Sequence, residues 1–327
     1  MTSARYIIYG AGGVGASIGA QLHQIGLDVV LIARGAHLQA LLNRGLDYRT
    51  PAGSLQLQIP CVSHPSELNF ESRDRIVLAT KTQDTLEALS QLQQHGQENI
   101  PILCAQNGVH NERLALRRFS NVYGLAVWIP ASFSVPGVVS NFAPGAPIEL
   151  GRIPKGDDDK AHSMVADLTH AGFAASFRTD VLAWKHAKLI MNIQTTIDAI
   201  CGSRDGLDDV CKQVQDEAHR CLAAADIDIA PHDQHTERLK QAAMAIGKIE
   251  GQGRSGGSSS QSLERGIGSI ETDYINGEIV LLGRLHGVPT PANAVIQATA
   301  NALASQGTQG KILSADELRS LIAEAST

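Results

Sequence analysis

Residues 6–34 read YIIYGAGGVGASIGAQLHQIGLDVVLIAR, and this stretch decides the fold. Tyr6-Ile7-Ile8-Tyr9 is a short run of β-branched and aromatic residues, which predicts a buried strand, and a glycine-rich turn follows it at once. Gly10, Gly12 and Gly15 fit G-x-G-x-x-G within Gly10-Ala11-Gly12-Gly13-Val14-Gly15. In that pattern the first glycine permits the tight turn, the second lets a pyrophosphate approach the backbone, and the third lets helix pack on strand. Val14, Ile18, Leu22 and Ile25 continue at helical spacing, Gly26 stops the helix, and Val29 to Ala33 is a second buried strand. Strand, helix and strand make a complete βαβ unit with an anion site at the helix N-terminus.

The residue after the second strand separates the dinucleotides. An acidic side chain there bonds the ribose hydroxyls of NAD, whereas Arg34 has a planar fork suited to a 2′-phosphate, so NADP(H) is the expected cofactor. The alternative is an ordinary loop arginine.

With 327 residues, 43% hydrophobic and 18% charged, the chain has room for about two soluble domains. A net charge of −6 and no basic run beyond Arg117-Arg118 argue against nucleic acid and anionic membranes as partners. Cys61, Cys104, Cys201, Cys211 and Cys221 form neither a C-x-x-C pair nor a metal-spaced cluster, so no metal is expected. The start MTSARYIIYG lacks a signal-length apolar segment and no apolar run spans a membrane, which predicts a cytoplasmic protein.

Further along, Ala36 to Arg44 reads as a helix, Leu55 to Ile59 as one arm of a hairpin, Arg75 to Thr80 as a core strand, Thr85 to Gln94 as a helix and Ile100 to Ala105 as a strand. Lys81 and Asn107-Gly108 fall just past strands, at the edge where open parallel sheets bind ligands. A solvated cation and a plain turn are their alternatives. Pro130, Pro136, Pro144 and Pro147 break Val122 to Gly151 into what read as antiparallel edge strands, and Asp157 to Lys160 reads as a solvated tip. A helix at 162–170 and a strand at Ala174 to Phe177 close a domain of residues 1–179.

Residues 180–327 read as helical. A long helix runs from Val181 to Ile200 behind Asp180, with helices at 207–225, 235–249, 270–286 and 292–305 to follow. Thr290 is placed to cap the last of these ahead of Pro291, and Ser314 to Glu317 form a capping box for a terminal helix. Gly251 to Ser260, GQGRSGGSSS, is a linker or a substrate loop. On the long helix Lys188, Asn192 and Thr196 share one face opposite Leu189, Ile190, Ile193, Ile197 and Ile200. Short hydrogen-bonding side chains beneath a lysine suit a wet cleft more than a solvent face. Lys185 reads as an ordinary surface lysine.

Together these features resemble the ketopantoate reductase (2-dehydropantoate 2-reductase) family. The likeness rests on Gly10 to Gly15, Arg34, Lys81, Asn107-Gly108, Trp184 ahead of Lys188-x-x-x-Asn192, the Ser258-Ser259 loop, Glu271 to Gly277, and Gly287-Val288-Pro289-Thr290-Pro291-x-Asn293. It implies an α/β architecture: an N-terminal Rossmann-type doubly wound sheet plus an all-helical C-terminal domain, with the active site between them. It implies that Gly10, Ala11, Gly12, Gly13, Val14, Gly15 and Arg34 bind NADPH, with Lys81 and Asn107 at the junction of cofactor and substrate. Lys188 would be the general acid and Glu271 a second catalytic residue, while Asn107, Asn192, Thr196, Ser259 and Glu271 would touch the substrate. The implied reaction is NADPH-dependent reduction of a small-molecule 2-oxo acid, ketopantoate to pantoate, on the route to coenzyme A. A homodimer is the one assembly kept open.

Two positions depart from the family pattern. Thr196 stands where a second asparagine is usual, and Ser260-Gln261-Ser262-Leu263 replaces a Met-Leu-Gln-Asp-like run. Reduction of another 2-oxo acid or carbonyl compound, and a non-enzymatic NADPH sensor, are the competing readings.

Overall fold

The computed structural model describes residues 3–133, 135–251, 257, 260, 263, 270–306 and 313–326. The opening stretch folds as β1 (Arg5–Tyr9), α1 (Gly13–Gln24) and β2 (Asp28–Ile32), with β1 and β2 parallel from Arg5↔Asp28 to Tyr9↔Ile32. Pleating sends Tyr6 and Ile8 to one face, where they meet Ile18 and Leu22 of α1, and Ile7 and Tyr9 to the other, among Leu89 and Leu92. A strand covered on both faces has to be continuously apolar, which is why no alternation marks β1.

The chain goes on through α2 (Gly35–Arg44), β3 (Leu46–Thr50), β4 (Gly53–Leu57), β5 (Cys61–Val62), β6 (Asp74–Leu78), α3 (Thr85–His95), β7 (Ile102–Cys104), α4 (His110–Leu116) and β8 (Val122–Val127). Then come β9 (Ala131–Ser132), β10 (Val138–Asn141), β11 (Pro147–Arg152), α5 (Asp159–His170) and β12 (Ala174–Phe177). The eight-stranded sheet has the order β12-β11-β8-β7-β6-β1-β2-β5, and a four-stranded sheet has the order β4-β3-β10-β9. Strands β5 to β8 along the main sheet are parallel, and β11 joins β8 antiparallel. The order turns back beside β1, with β2 on one side and β6 on the other, so the switch point lies at the glycine turn.

Two expectations for this region change. β8 is an interior strand between β7 and β11, every residue of it buried, so the prolines that follow it do not make Val122 an edge. Asp158 is no solvated tip: its carboxylate accepts from the Ala161 N–H (2.7 Å) to cap α5 and also accepts from the Tyr123 hydroxyl (2.8 Å).

After β12 come α6 (Val181–Asn192), α7 (Thr195–Cys201), α8 (Asp208–Ala224), α9 (His232–Met244), a 3₁₀ turn at Glu271–Tyr274, α10 (Asn276–His286), α11 (Pro291–Ser305) and α12 (Ala315–Ala325). The expected helix 181–200 is therefore two helices, interrupted at residues 193–194. Thr290 occupies the N-cap position of α11 without a side-chain bond. The buried Glu217 carboxylate of α8 accepts instead from the N–H groups of Ala292 and Asn293 (both 3.0 Å) and from Asn293 Nδ2 (2.8 Å). Ser314 and Glu317 form the expected capping box.

The chain divides into two compact units, Met1–Lys185 with Ala230–Gly253, and His186–Ile229 with Arg254–Thr327. A single cut at residue 180 misses the return of α9 to the first unit. That return has a polar cause: Glu149, fully buried on β11, accepts from Arg178 Nε (2.6 Å) and pairs with Arg238 of α9. Backbone bonds from Ala230 to the Ala183 carbonyl (3.0 Å) and from Gly247 to the Phe142 carbonyl (2.7 Å) hold the segment at both ends. In the second unit Val214, Ala218, Cys221 and Leu222 of α8 form the core with Ile279 of α10 and Ile296 of α11.

Candidate active site

The glycine turn has the shape of a phosphate cradle. Gly10 has φ +102°, and a Cβ there would lie 2.7 Å from the Ala79 carbonyl carbon and the Thr80 nitrogen. A Cβ on Gly15 would lie 2.1 Å from the Gly10 oxygen and 2.9 Å from the Ala79 methyl, so only glycine lets α1 sit this close. Gly12 is the opposite case: nothing stands within 4 Å of its would-be Cβ. The middle glycine thus faces open space. It is also the N-cap of α1 and has no side-chain capping bond, so the first-turn N–H groups of Gly13, Val14 and Gly15 lack an intrahelical acceptor. A dinucleotide's pyrophosphate fits this pattern.

His37, which the motif does not mark, underlies the turn. Its Nε2–H donates to the Ala11 carbonyl (2.8 Å) and its Nδ1 accepts from the Gly137 N–H (2.9 Å), which fixes a neutral tautomer. Burial pushes its pKa below the ordinary histidine value, against a smaller opposing effect of the Ala11 bond.

Arg34 is the N-cap of α2, directly after β2, and its side chain is 60% exposed, with Asp84 at 3.9 Å and Glu87 at 4.0 Å. Tyr9 lies near these charges; burial raises its pKa to about 12. Lys81, half-buried, N-caps the 3₁₀ turn after β6, and Asn107, half-buried, sits in the turn after β7 beside Gly108 (φ +80°). The glycine turn, Arg34, Lys81 and Asn107 therefore gather at the carboxyl ends of β1, β2, β6 and β7.

In the second unit Lys188 is half-buried and Asn192 is buried, one turn apart on α6. Glu271, half-buried, opens the 3₁₀ turn before α10. Asn276 stitches these pieces together: its Nδ2 donates to the Ile193 carbonyl (3.0 Å) and to Asn293 Oδ1 (3.1 Å). Thr196 has no exposed surface, and its hydroxyl donates to Asn276 Oδ1 (2.7 Å). The helix break separates it from Asn192, and its one donor is spent inside the protein. Gly257 lies against Thr195, while Ser259, with Ser258, Gln261 and Ser262, lies outside the described residues. The sequence pattern contained Asn276 and Asn293 without assigning them.

Lys185 corrects the reading of α6. It is 3% exposed, its ammonium donates to the carbonyls of Cys104 (3.3 Å) and Gln106 (3.1 Å), and it pairs with the fully buried Glu112. It is no surface lysine. Among the described residues no group of His, Cys, Asp and Glu is arranged to hold a metal, and no helix is long and apolar enough to cross a membrane.

Comparison with known proteins agrees with this architecture. The family model described as Ketopantoate reductase PanE/ApbA matches residues 6–155, and its C-terminal counterpart matches residues 180–304. A 2-dehydropantoate 2-reductase from Pyrococcus horikoshii is 27% identical over 310 residues, 92% of this chain and 97% of that protein. One from Archaeoglobus fulgidus is 28% identical over 301 residues, 89% of this chain and 95% of its own length. The crystal structure of a PanE/ApbA family ketopantoate reductase from Ralstonia eutropha JMP134 superposes with a TM-score of 0.78 at 25% identity, covering 93% of this chain and 99% of that one. D-mandelate dehydrogenase in a ternary structure with NADH and anilino(oxo)acetate shares the fold, with a TM-score of 0.79 at 24% identity and the same coverage. With family models matching both its Rossmann-like and its helical part, the chain belongs to the ketopantoate reductase family, oxidoreductases that act on a CH–OH group.

Proposed function

We propose that this chain is an NADPH-dependent reductase of a small 2-oxo acid, with ketopantoate as substrate and pantoate as product. The observation that carries the reading is the cradle at Gly12, open where a Cβ would stand and closed tightly at Gly10 and Gly15, with the guanidinium of Arg34 exposed on the same sheet edge. Gly10 to Gly15 would hold the pyrophosphate and Arg34 the 2′-phosphate, with Lys81 and Asn107 at the junction with the substrate. NADPH, when bound, supplies the hydride that adds to the carbonyl carbon. Charge grows on the carbonyl oxygen as that happens, and the Lys188 ammonium would stabilise and then protonate it. Asn192, Ser259 and Glu271 would orient the acid through its carboxylate and its oxygen. Relatives named 2-dehydropantoate 2-reductase along nine-tenths of the chain support ketopantoate over other oxo acids. The five cysteines are free thiols, which suits a reducing compartment such as the cytoplasm.

The test is NADPH oxidation with ketopantoate, 2-oxo-3-methylbutanoate and phenylglyoxylate as substrates. Ketopantoate should give the highest kcat/KM. A higher value with phenylglyoxylate would move the assignment to an aromatic 2-oxo acid, and NADPH binding with no turnover on any of them would favour a sensor.

A further inference from the structure

The polar groups that close the carboxyl end of β7 serve neither the glycine cradle nor Arg34. Lys185 holds the Cys104 carbonyl, the last of β7, and the Gln106 carbonyl two residues further on. Its third partner, Glu112, lies in the first turn of α4, on the far side of the same turn. Asn107 sits between these attachment points. A second set of bonds ties the turn sideways to the one after β6: Gln106 Nε2 donates to Thr85 Oγ1 (3.1 Å), Thr85 Oγ1 donates to Asn111 Oδ1 (2.8 Å), and Asn111 Nδ2 donates to Thr82 Oγ1 (3.2 Å). Lys81, the other junction residue at this edge, immediately precedes Thr82.

Two charges taken fully out of water are a poor way to gain stability, because desolvation offsets their attraction and an apolar pair of similar size does as well. What the ammonium adds is direction, since it has three donors and no acceptor and can fix two backbone carbonyls and a carboxylate at once. We propose that Lys185 and Glu112 are positioning residues for the reductase: they clamp the 105–109 turn so that Asn107 is presented rigidly at the sheet edge. The proposal rests on the reading of Asn107 as a residue at the junction of cofactor and substrate.

Lys185→Met alone strands a buried carboxylate, so the deciding protein is Lys185→Met/Glu112→Leu, which removes both charges and keeps the volume. Its thermal midpoint, its Kd for NADPH and its kcat and KM for ketopantoate are measured beside those of Glu112→Gln, which leaves an acceptor facing Lys185. The double variant should fold and bind NADPH within about threefold of wild type, yet lose roughly ten- to hundredfold in kcat/KM, the scale expected when a contact group is misplaced by about 1 Å. Glu112→Gln should lose less in kcat/KM, with a lower midpoint, because the Lys185 ammonium keeps an acceptor but loses its counter-charge. Each is then combined with Asn107→Ala. If the pair acts through Asn107, the combined loss matches that of Asn107→Ala alone; losses that multiply overturn the proposal. Wild-type kcat/KM in the folded double variant also overturns it, as does wild-type kcat/KM in Glu112→Gln should the double variant not fold. Failure of the underlying reading looks different, because Asn107→Ala by itself would then leave kcat/KM unchanged.

Discussion

Arg34 meets Asp84 and Glu87 only at 3.9 and 4.0 Å and on the surface, where an ion pair is worth about 0–1 kcal/mol, so the guanidinium is not locked away from a ligand. A charge-assisted bond to phosphate is worth about 1.5–3 kcal/mol, so Arg34→Ala should raise the KM for NADPH roughly ten- to hundredfold with kcat little changed. Asp84→Asn should act in the other direction, tightening NADPH a few-fold at low salt by removing a carboxylate that repels the phosphate. Kd values for NADPH and NADH, read from nucleotide fluorescence, check both; an unchanged NADPH to NADH ratio in Arg34→Ala would show that Arg34 does not read the phosphate. Lys188→Ala should lower kcat about 10²- to 10⁴-fold while NADPH still binds. The control is Lys212, exposed and paired with Asp216 at 2.5 Å, because Lys185 is buried. Equal losses at positions 188 and 212 would remove the proton-donor role.

At the scale of the element, the break after α6 changes what Thr196 can do. Its hydroxyl is a donor to Asn276, which in turn fixes the Ile193 carbonyl and Asn293. Thr196→Val keeps the shape and deletes that donor, so it should cost about 1–3 kcal/mol in urea unfolding while leaving the ratio of kcat/KM for ketopantoate over 2-oxo-3-methylbutanoate as it was. A changed ratio with unchanged stability would return Thr196 to the substrate. Elements whose cause is local were legible in the sequence: the apolar run of β1 with its glycines, the strand Ala174–Phe177, and the Ser314 capping box each depend on residues a few positions apart. Elements fixed from a distance were not. Glu217 caps α11 from 75 residues away, which left Thr290 as the only visible candidate. Lys185 looked solvated because helical spacing alone cannot reveal a buried acid 73 residues earlier in the chain. The candidate site divides the same way: the cradle could be read from its spacing, while His37 and Glu112, which brace it and its neighbouring turn, carry no local pattern.

For the whole molecule, the return of α9 to the first unit rests on Arg238 reaching Glu149, again a contact no periodicity announces. Its pH response has a source beneath the cradle. His37 is held neutral, accepting from Gly137 with the nitrogen that a proton would turn into a donor, and burial sets its folded pKa below the unfolded value of 6.5. Between those two values the unfolded chain binds a proton that the folded chain refuses. Stability from this group is therefore complete above about pH 6.5 and declines as pH falls toward the folded pKa, by up to about 1.4 kcal/mol per pH unit. His110 shifts downward as well, through burial and the neighbouring Arg113 and Arg117, so the wild-type slope contains more than one histidine. Comparison with His37→Gln isolates the residue: Gln offers a donor and an acceptor but takes up no proton. The gap in unfolding free energy between the two proteins should narrow as pH falls from about 6.5 toward the folded pKa, and NADPH affinity should weaken in the wild type alone only around and below that folded pKa, where the proton breaks the Gly137 bond of the ring that also holds the Ala11 carbonyl of the glycine turn. Parallel stability curves would mean that His37 takes up its proton as readily in the folded chain as in the unfolded one.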